Sequence, residues 1–290
     1  MKKIVGVIFI GILVGLAAAY YGAKSHATDV AEKKVNRAIA KAANFADIDY
    51  RKLEVNIFSK EARILDVLIY PVTIQNKITI KEIVIRDFDV ESDIPLSMSL
   101  SINGLEMDLD SIVENAPAIR DLGYEGVALF NLHVDYVYDR DLKNLHIERL
   151  TLGAEDAGEI NINLHLGNIN LSPLGMIGLI FTYPQVMFHK AGMEYRDASL
   201  MDRIFTLEAK KEGESLQELK QYLINEIKRQ IEEQDDEYIK KTLMEIEKFI
   251  RNPKSLSVTA IPSRPHPLGR IMRADDSEDL IKLLNIQIKS

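Results

Sequence analysis

The chain has 290 residues, 47% of them hydrophobic and 28% charged, with a formal net charge of −8 and no cysteine. That balance fits a folded body rather than a disordered one, and its acidity gives no basic footprint for nucleic acid. The missing cysteines exclude disulfide frameworks, thiolate metal sites and thiol nucleophiles, and suit an oxidising compartment.

Lys2 and Lys3 open the chain and precede an uncharged run of twenty residues, Ile4 to Ala23. At about 1.5 Å per helical residue the run matches the ~30 Å hydrocarbon core of a bilayer, and a helix satisfies its own amides there. The membrane-anchoring side chains are Ile4, Val5, Val7, Ile8, Phe9, Ile10, Ile12, Leu13, Val14, Leu16, Tyr20 and Tyr21. Ser25-His26-Ala27 offers a small-residue cleavage site. A cleaved signal peptide has an apolar core of about 7–15 residues, so length favours an uncleaved signal anchor over residues 1–27. Basic residues lie on both flanks, with Lys24, Lys33, Lys34, Arg37 and Lys41 on the far side. Long following domains translocate largely regardless of such charge, which puts the remaining chain outside the cytoplasm. A single crossing of the membrane is expected, with the bulk of the chain beyond it. No cysteine follows the run to carry a lipid.

Residues 28–46 read as a juxtamembrane helix. Ala31, Val35, Ala38, Ala42 and Phe45 recur at helical spacing, with Lys34, Arg37 and Lys41 beside them. Such a helix either touches lipid head groups or docks its alanine face on the body.

From residue 47 to 198 the period is two, as expected for a long antiparallel sheet. Leu53, Val55 and Ile57 alternate with polar residues, and Leu65, Val67 and Ile69 follow; KITIKEIVIRDFDV, LSMSLSINGLEMDL, LFNLHVDYVYD, LHIERLTL and EININLHLGNINL continue the pattern. Two strands slip in register at a glycine. Leu96, Met98, Leu100 and Ile102 give way after Gly104 to Leu105, Met107 and Leu109; Ile160, Ile162, Leu164 and Leu166 give way after Gly167 to Ile169 and Leu171. One extra residue at a glycine predicts a β-bulge, which bends the strand. The doublets Lys81-Glu82 and Arg86-Asp87 slip in the same way. The fold class is therefore α+β, with an N-terminal transmembrane helix ahead of a curved, bulged sheet.

Residues 199–252 read as helices: Ser199 to Glu212 with a capping box Ser199-x-x-Asp202, a second helix capped by Ser215-x-x-Glu218, and a third ending before Asn252-Pro253. They pack on the sheet or beside it. In residues 253–290, SLSVTAI predicts a strand, SRPHPLGRI a turn, and Asp279 to Lys289 a short helix leading into a final strand.

No catalytic, cofactor or metal site is expected. His133 shares a strand face with Asp135, and His146 with Glu148, so a histidine–carboxylate site is conceivable. These are polar-face positions without an HExxH pairing, and solvation accounts for them more simply. Ser97, Ser99 and Ser101 alternate on one polar face as solvent-facing fillers, and GxSxG, P-loop, GxGxxG and kinase motifs are absent from the sequence. Leu174 to Phe181 is apolar or glycine but too short to cross a bilayer as a helix; it is a buried linker or a lip that touches membrane.

The phrases GMEYRDASLMDRIF, KKEGESLQELKQYL, FIRNPKSLSVTAIPSRPHPLG and LIKLLNIQI resemble, in that order, an uncharacterised bacterial envelope family with one N-terminal membrane segment. Tyr195, Asp197, Ser199, Leu200, Phe249, Pro253, Ser255 and Leu256 occupy that family's recurrent positions, and the resemblance implies structural roles for them. The anchor, VNIFSKEARILDVLIYP and ITIKEIVIRDFDV are more weakly similar to AsmA-like proteins, membrane-anchored envelope proteins with long curved sheets. That likeness implies a part in outer-membrane assembly and lipid handling, and the two resemblances together imply a bacterial inner membrane, crossed once, with the bulk of the chain in the periplasm.

The expectation is thus a non-enzymatic, periplasm-facing protein whose partners are membrane lipid and a hydrophobic ligand or an envelope protein. Leu96, Met98, Leu100, Ile102, Ile160, Ile162, Leu164 and Leu166 form the candidate hydrophobic-ligand face. The alternative is an adaptor binding other envelope proteins through sheet edges or acidic helices.

Overall fold

A computed structural model describes residues 46–56, 61–72, 77–86, 96–110, 118–171, 181–274 and 276–290, with Asn36, Ile39, Ala40, Ala43, Ser59 and Gly178 between them. The anchor run Ile4 to Ala23 lies outside the described residues. Among those described, no helix is long and apolar enough to cross a membrane. Of the juxtamembrane stretch, Ile39 is helical and packs against buried strand residues, and Tyr50 donates to Asn36 Oδ1 at 3.3 Å.

The strands are β1 (Ala46–Asn56), β2 (Glu61–Pro71), β3 (Ile78–Arg86), β4 (Ser97–Asp108), β5 (Val127–Asp139), β6 (Asn144–Ala154), β7 (Gly158–Gly167), β8 (Met187–Asp197), β9 (Ser255–Ala260), β10 (His266–Pro267) and β11 (Ile286–Lys289). The helices are α1 (Ala118–Asp121), α2 (Leu200–Glu212), α3 (Leu216–Glu233), α4 (Glu237–Arg251), α5 (Leu268–Ile271) and α6 (Ser277–Leu284), with a 3₁₀ turn at Tyr183–Gln185. Strands β1 to β9 and then β11 follow one hydrogen-bonded order, and β10 pairs with β8. The α+β class and the long antiparallel sheet are as the alternation predicts. SRPHPLGRI is more than a turn, since it forms β10 and α5; Pro267 at the helix N-cap ends the strand and starts the helix.

The chain divides into two compact units. The first comprises Met1–Arg120, Tyr124–Tyr138 and Leu150–Ala154, the second Asp121–Gly123, Asp139–Arg149 and Glu155–Ser290.

In the first unit, β1 to β4 share a crease. Before it the buried face is carried by Ala46 and Ile48, Ala62 and Ile64, Ile78 and Ile80, Leu100 and Ile102; beyond it by Leu53, Val67 and Ile69, Ile83 and Ile85, Leu105 and Leu109. Each strand changes from even to odd positions. The registers place Arg51 opposite Asp66, Asp66 opposite Lys81, and Lys81 opposite Gly104, so the reversals form one cross-strand row. A one-residue slip turns every following side chain over, and here four strands slip together and keep one apolar face. Asp66 (φ 52°) and Gly104 (φ 62°) supply the left-handed backbone, and Arg51 pairs with the Asp66 carboxylate. Strand β5 does not slip. The β4–β5 register shifts between Ile102 and Leu105, and Asn131 Oδ1 accepts a 2.9 Å bond from the Gly104 amide. The bulge at Gly104 and the slip at Lys81-Glu82 are therefore one feature.

In the second unit, Ile160, Ile162 and Leu164 lie in rows with Tyr195, Met193 and Ala191, then with Leu256, Val258 and Ala260. Phe249 of α4 meets Tyr195 edge-on, with centroids 6.3 Å apart, so this helix covers the Tyr195 end of the apolar face. Tyr238 of the same helix donates to the Ile286 carbonyl of β11. Phe205, Ala209, Leu219, Ile224 and Ile250 bury the helices against one another.

The second predicted bulge is displaced. His165 pairs with Lys190 and Leu166 with Phe188, so the extra residue is His189 on β8, and not a residue after Gly167 on β7. Strand β7 ends at Gly167. The predicted Ser199 capping box does not form. The Ser199 hydroxyl donates to the Asp156 carbonyl, and Asp197 Oδ1 accepts from the Met201 amide at 2.9 Å. The Ser215–Glu218 box is complete, and Gly213 ends α2 in the left-handed conformation.

Candidate functional site

The candidate ligand face is split by burial. Leu100 and Ile102 are 1% exposed and belong to the core of the first unit, with Met98 packed beside them. Leu96 is half-buried. On β7 of the second unit, Ile160, Ile162, Leu164 and Leu166 are all half-buried and lie on one side of the strand. They form the more accessible part of the predicted face.

The polar side of the first unit carries a ladder of cross-strand contacts. Glu61 accepts from Arg63 and Arg86, Arg63 reaches Glu82 at 3.1 Å, and Asn103 donates to Glu82 at 3.0 Å. The Arg63 guanidinium, aided by Arg86, holds the Glu61 carboxyl below its usual range against the cost of burial. Farther along, Ser101 Oγ lies 2.8 Å from His133 Nδ1, and His133 Nε2 lies 2.6 Å from Asp135 Oδ2. The residue types are those of a hydrolytic triad. However, Ser101 sits in mid-strand between its partners Val84 and His133, where backbone amides are committed to the ladder rather than free to form an oxyanion hole. The arrangement orients a serine hydroxyl in the middle of a paired strand. The sequence reading of Ser101 as a filler misses the bond to a histidine 32 residues away.

The polar side of the second unit holds a stack of three imidazoles that sequence reasoning does not join. His146 and His165 have ring centroids 3.8 Å apart at 26°, and His165 and His189 are 4.0 Å apart at 15°. The bulge creates it. Lys190, Gly192, Glu194 and Arg196 mark the polar side of β8, and regular alternation would send His189 to the other side. As the extra residue it turns onto His165. Gly167 leaves the necessary space, and Gly192 likewise accommodates the Asn163 amide.

His165 Nε2 is buried with no hydrogen-bond partner. Burial first, then positive charge on His189, His146 and Lys190, pushes the His165 imidazole down to about 4; burial and His146 lower His189 in the same direction. Imidazole lone pairs lie in the ring plane, so near-parallel rings do not converge on one ion. Among the described residues no group of three or more histidines or carboxylates is arranged to hold a metal.

A family model described as "Uncharacterized protein" matches residues 87–290. The chain belongs to this family. No curated protein and no solved structure matches it. The matched span includes the motif positions read from the sequence, and the structure gives several of them mechanical roles. Tyr195 donates to Asp197, Asp197 caps α2, Phe249 packs on Tyr195, and Leu256 pairs with Tyr195 across β8 and β9. Arg203 adds 3.0 and 2.8 Å bonds to the Leu122 and Gly123 carbonyls and a 3.1 Å bond to Ser199 Oγ. These contacts fasten a strand end to a helix start.

One corner gathers charges of both signs. Arg270, Arg273, Asp279 and Lys282 line a cavity of about 740 Å³. Lys282 is paired with Asp236 at 2.9 Å, and Arg273 Nε donates to the Gly269 carbonyl at 2.8 Å. Burial, then Arg270 and Arg264, lower the pKa of the buried His266 beside them.

Proposed function

We propose that this is a single-pass, periplasm-facing envelope protein without catalytic activity that shelters an acyl chain or another hydrophobic ligand in envelope maintenance. The weaker AsmA-like resemblance of the N-terminal half points the same way. One observation carries the ligand: Ile160, Ile162, Leu164 and Leu166 are only partly buried on one side of a strand although Tyr195, the cross-strand partner of Ile160, is covered by Phe249. Apolar surface returned from water is worth about 25 cal/mol per Å², enough for a lipid tail to compete for such a row. The uncharged run Ile4 to Ala23 supports delivery to a membrane.

The test is native mass spectrometry of the full chain extracted from membranes, beside an Ile162→Asn/Leu164→Asn variant. Stoichiometric lipid on the wild type that falls away in the variant is the expected result. No lipid on either, with one defined protein crosslinked in cells, would favour the adaptor reading instead. Protease protection in spheroplasts reports the orientation.

A further inference from the structure

We infer that the end of β8 before its bulge, together with β10 and α5, is a latch that acid releases. Both neighbours of β8 break at the same place. On one side the β7 register shifts between His165 and Leu166; on the other β9 reaches only to Ala191, and β10 takes over at Phe188. The segment from Val186 to Phe188 is therefore held by contacts of its own. Phe188 pairs with Leu166 and with His266, and Leu268 N donates to Val186 O at 2.8 Å. Such a segment can part from its neighbours without unzipping the rest of β8. Parting it uncovers Val186 and Phe188, which are buried when it is closed, and frees the Leu166 end of the half-buried row. The latch does not depend on a ligand in that row.

Histidines hold this segment from two sides. The bulged His189 closes the stack on His165 and His146, and the buried His266 of β10 pairs with Phe188. The charged groups that act on them are cations. His189, His146 of β6 and Lys190 of β8 act on His165, His146 acts on His189, and Arg270 of α5 and Arg264 act on His266. Glu148 is the carboxylate on the His146 side of β6, two residues farther along the strand. Among the described residues the buried His165 Nε2 has no hydrogen-bond partner. A proton taken up by the closed stack thus meets burial and a second imidazole 4.0 Å away. Burial holds His266 in its neutral form in the same way. Opening returns these rings to water. As pH falls through the ordinary imidazole range, the open form takes the proton first and gains population.

His165 titrates at 6.5 in water and at about 4 in the closed stack, a difference that favours opening about twentyfold more at pH 5 than at pH 7. Hydrogen–deuterium exchange of the full chain in detergent micelles reads the opening, with times scaled for the intrinsic pH dependence of exchange. Peptides covering residues 186–189 and 266–272 should lose protection about twentyfold between pH 7 and pH 5. They should exchange ahead of α3 and α4 at both pH values. Urea below the unfolding transition should leave their exchange unchanged while speeding that of the helices, because a local opening exposes little surface. His165→Gln should remove most of the ratio between the two pH values, whatever it does to protection at pH 7. His266→Gln should reduce the same ratio from the other side of the segment, and it serves where His165→Gln does not fold. Protection equal at the two pH values, exchange of these peptides in step with α3 and α4, or an undiminished ratio in the folded variants overturns the latch. The readout involves no lipid, so it fails or succeeds apart from the ligand reading.

Discussion

A β-carbon on Gly167 would lie 2.6 Å from His189 Nε2, with Asn144 Oδ1 at 3.0 Å. The glycine is thus the floor on which the bulged histidine rests. Gly167→Ala should displace the ring and cost about 1–3 kcal/mol, as other overpacking changes do. Adding His189→Ala should recover part of that loss, since the clashing atom is gone. Denaturant midpoints of the two single variants and the double variant in detergent give the coupling. Strict additivity, within about 0.5 kcal/mol, would show that the two residues do not meet.

The stacked imidazoles predict a pH dependence. His165 titrates near 4 in the folded chain and near its ordinary 6.5 when unfolded. As pH falls, the unfolded chain therefore binds the proton first. Stability is full above about pH 6.5 and declines toward about pH 4, at up to about 1.4 kcal/mol per pH unit for one group. His189 adds a change of the same sign. Denaturation of the wild type and of His165→Gln across this window should give a shallower decline in the variant. Parallel curves would refute the assignment.

The crease is half legible in the sequence. Gly104 announces its slip because glycine and a parity change coincide, and Lys81-Glu82 shows the same change. In β1 and β2 the reversal at Arg51 and Asp66 is hidden, because Leu65 is apolar yet lies on the other parity from Ile64 and extends the apparent alternation. Only pairing reveals that the four slips form one row. Gly104→Ala should cost about 1–3 kcal/mol, because φ is +62° and the new Cβ would stand 2.9 Å from Lys81 Cβ. Asp66→Gly should be close to neutral, the strained φ being free for glycine. Thermal melts that rank Asp66→Gly below Gly104→Ala would contradict the crease.

The site is less legible than the fold. Strand periodicity reports which face a side chain takes, not which distant residue takes the same place. His146, His165 and His189 lie on three strands, and a bulge that the sequence suggests for β7 but the structure places on β8 decides whether the third joins. Ser101 stays separate in the sequence for the same reason, although His133 and Asp135 already share a strand face there. Because Ser101 sits in mid-strand with its neighbours paired on both sides, Ser101→Ala should leave hydrolysis of an activated ester at the wild-type rate, itself equal to the buffer blank. Wild-type turnover that Ser101→Ala abolishes would reverse the non-catalytic reading.

Helix starts separate what local sequence can and cannot specify. Ser215 and Glu218 bond each other's backbone within one turn, so the motif is self-contained and its spacing suffices to predict it. Ser199 has the same spacing to Asp202, but the Ala157 carbonyl accepts from the amides of Ala198, Ser199 and Leu200 at 3.1–3.3 Å. That contact holds the chain where the Ser199 hydroxyl faces Asp156, and Asp197 takes over the cap. Ser215→Ala should cost about 1 kcal/mol, the usual loss for a cap. Asp197→Ala should cost more, because the Tyr195 hydroxyl loses its acceptor along with the Met201 amide. Asp197→Asn keeps an oxygen in place and should retain most of the stability. If chemical denaturation finds Ser199→Ala equal to Ser215→Ala and Asp197→Ala harmless, the serine caps α2 after all.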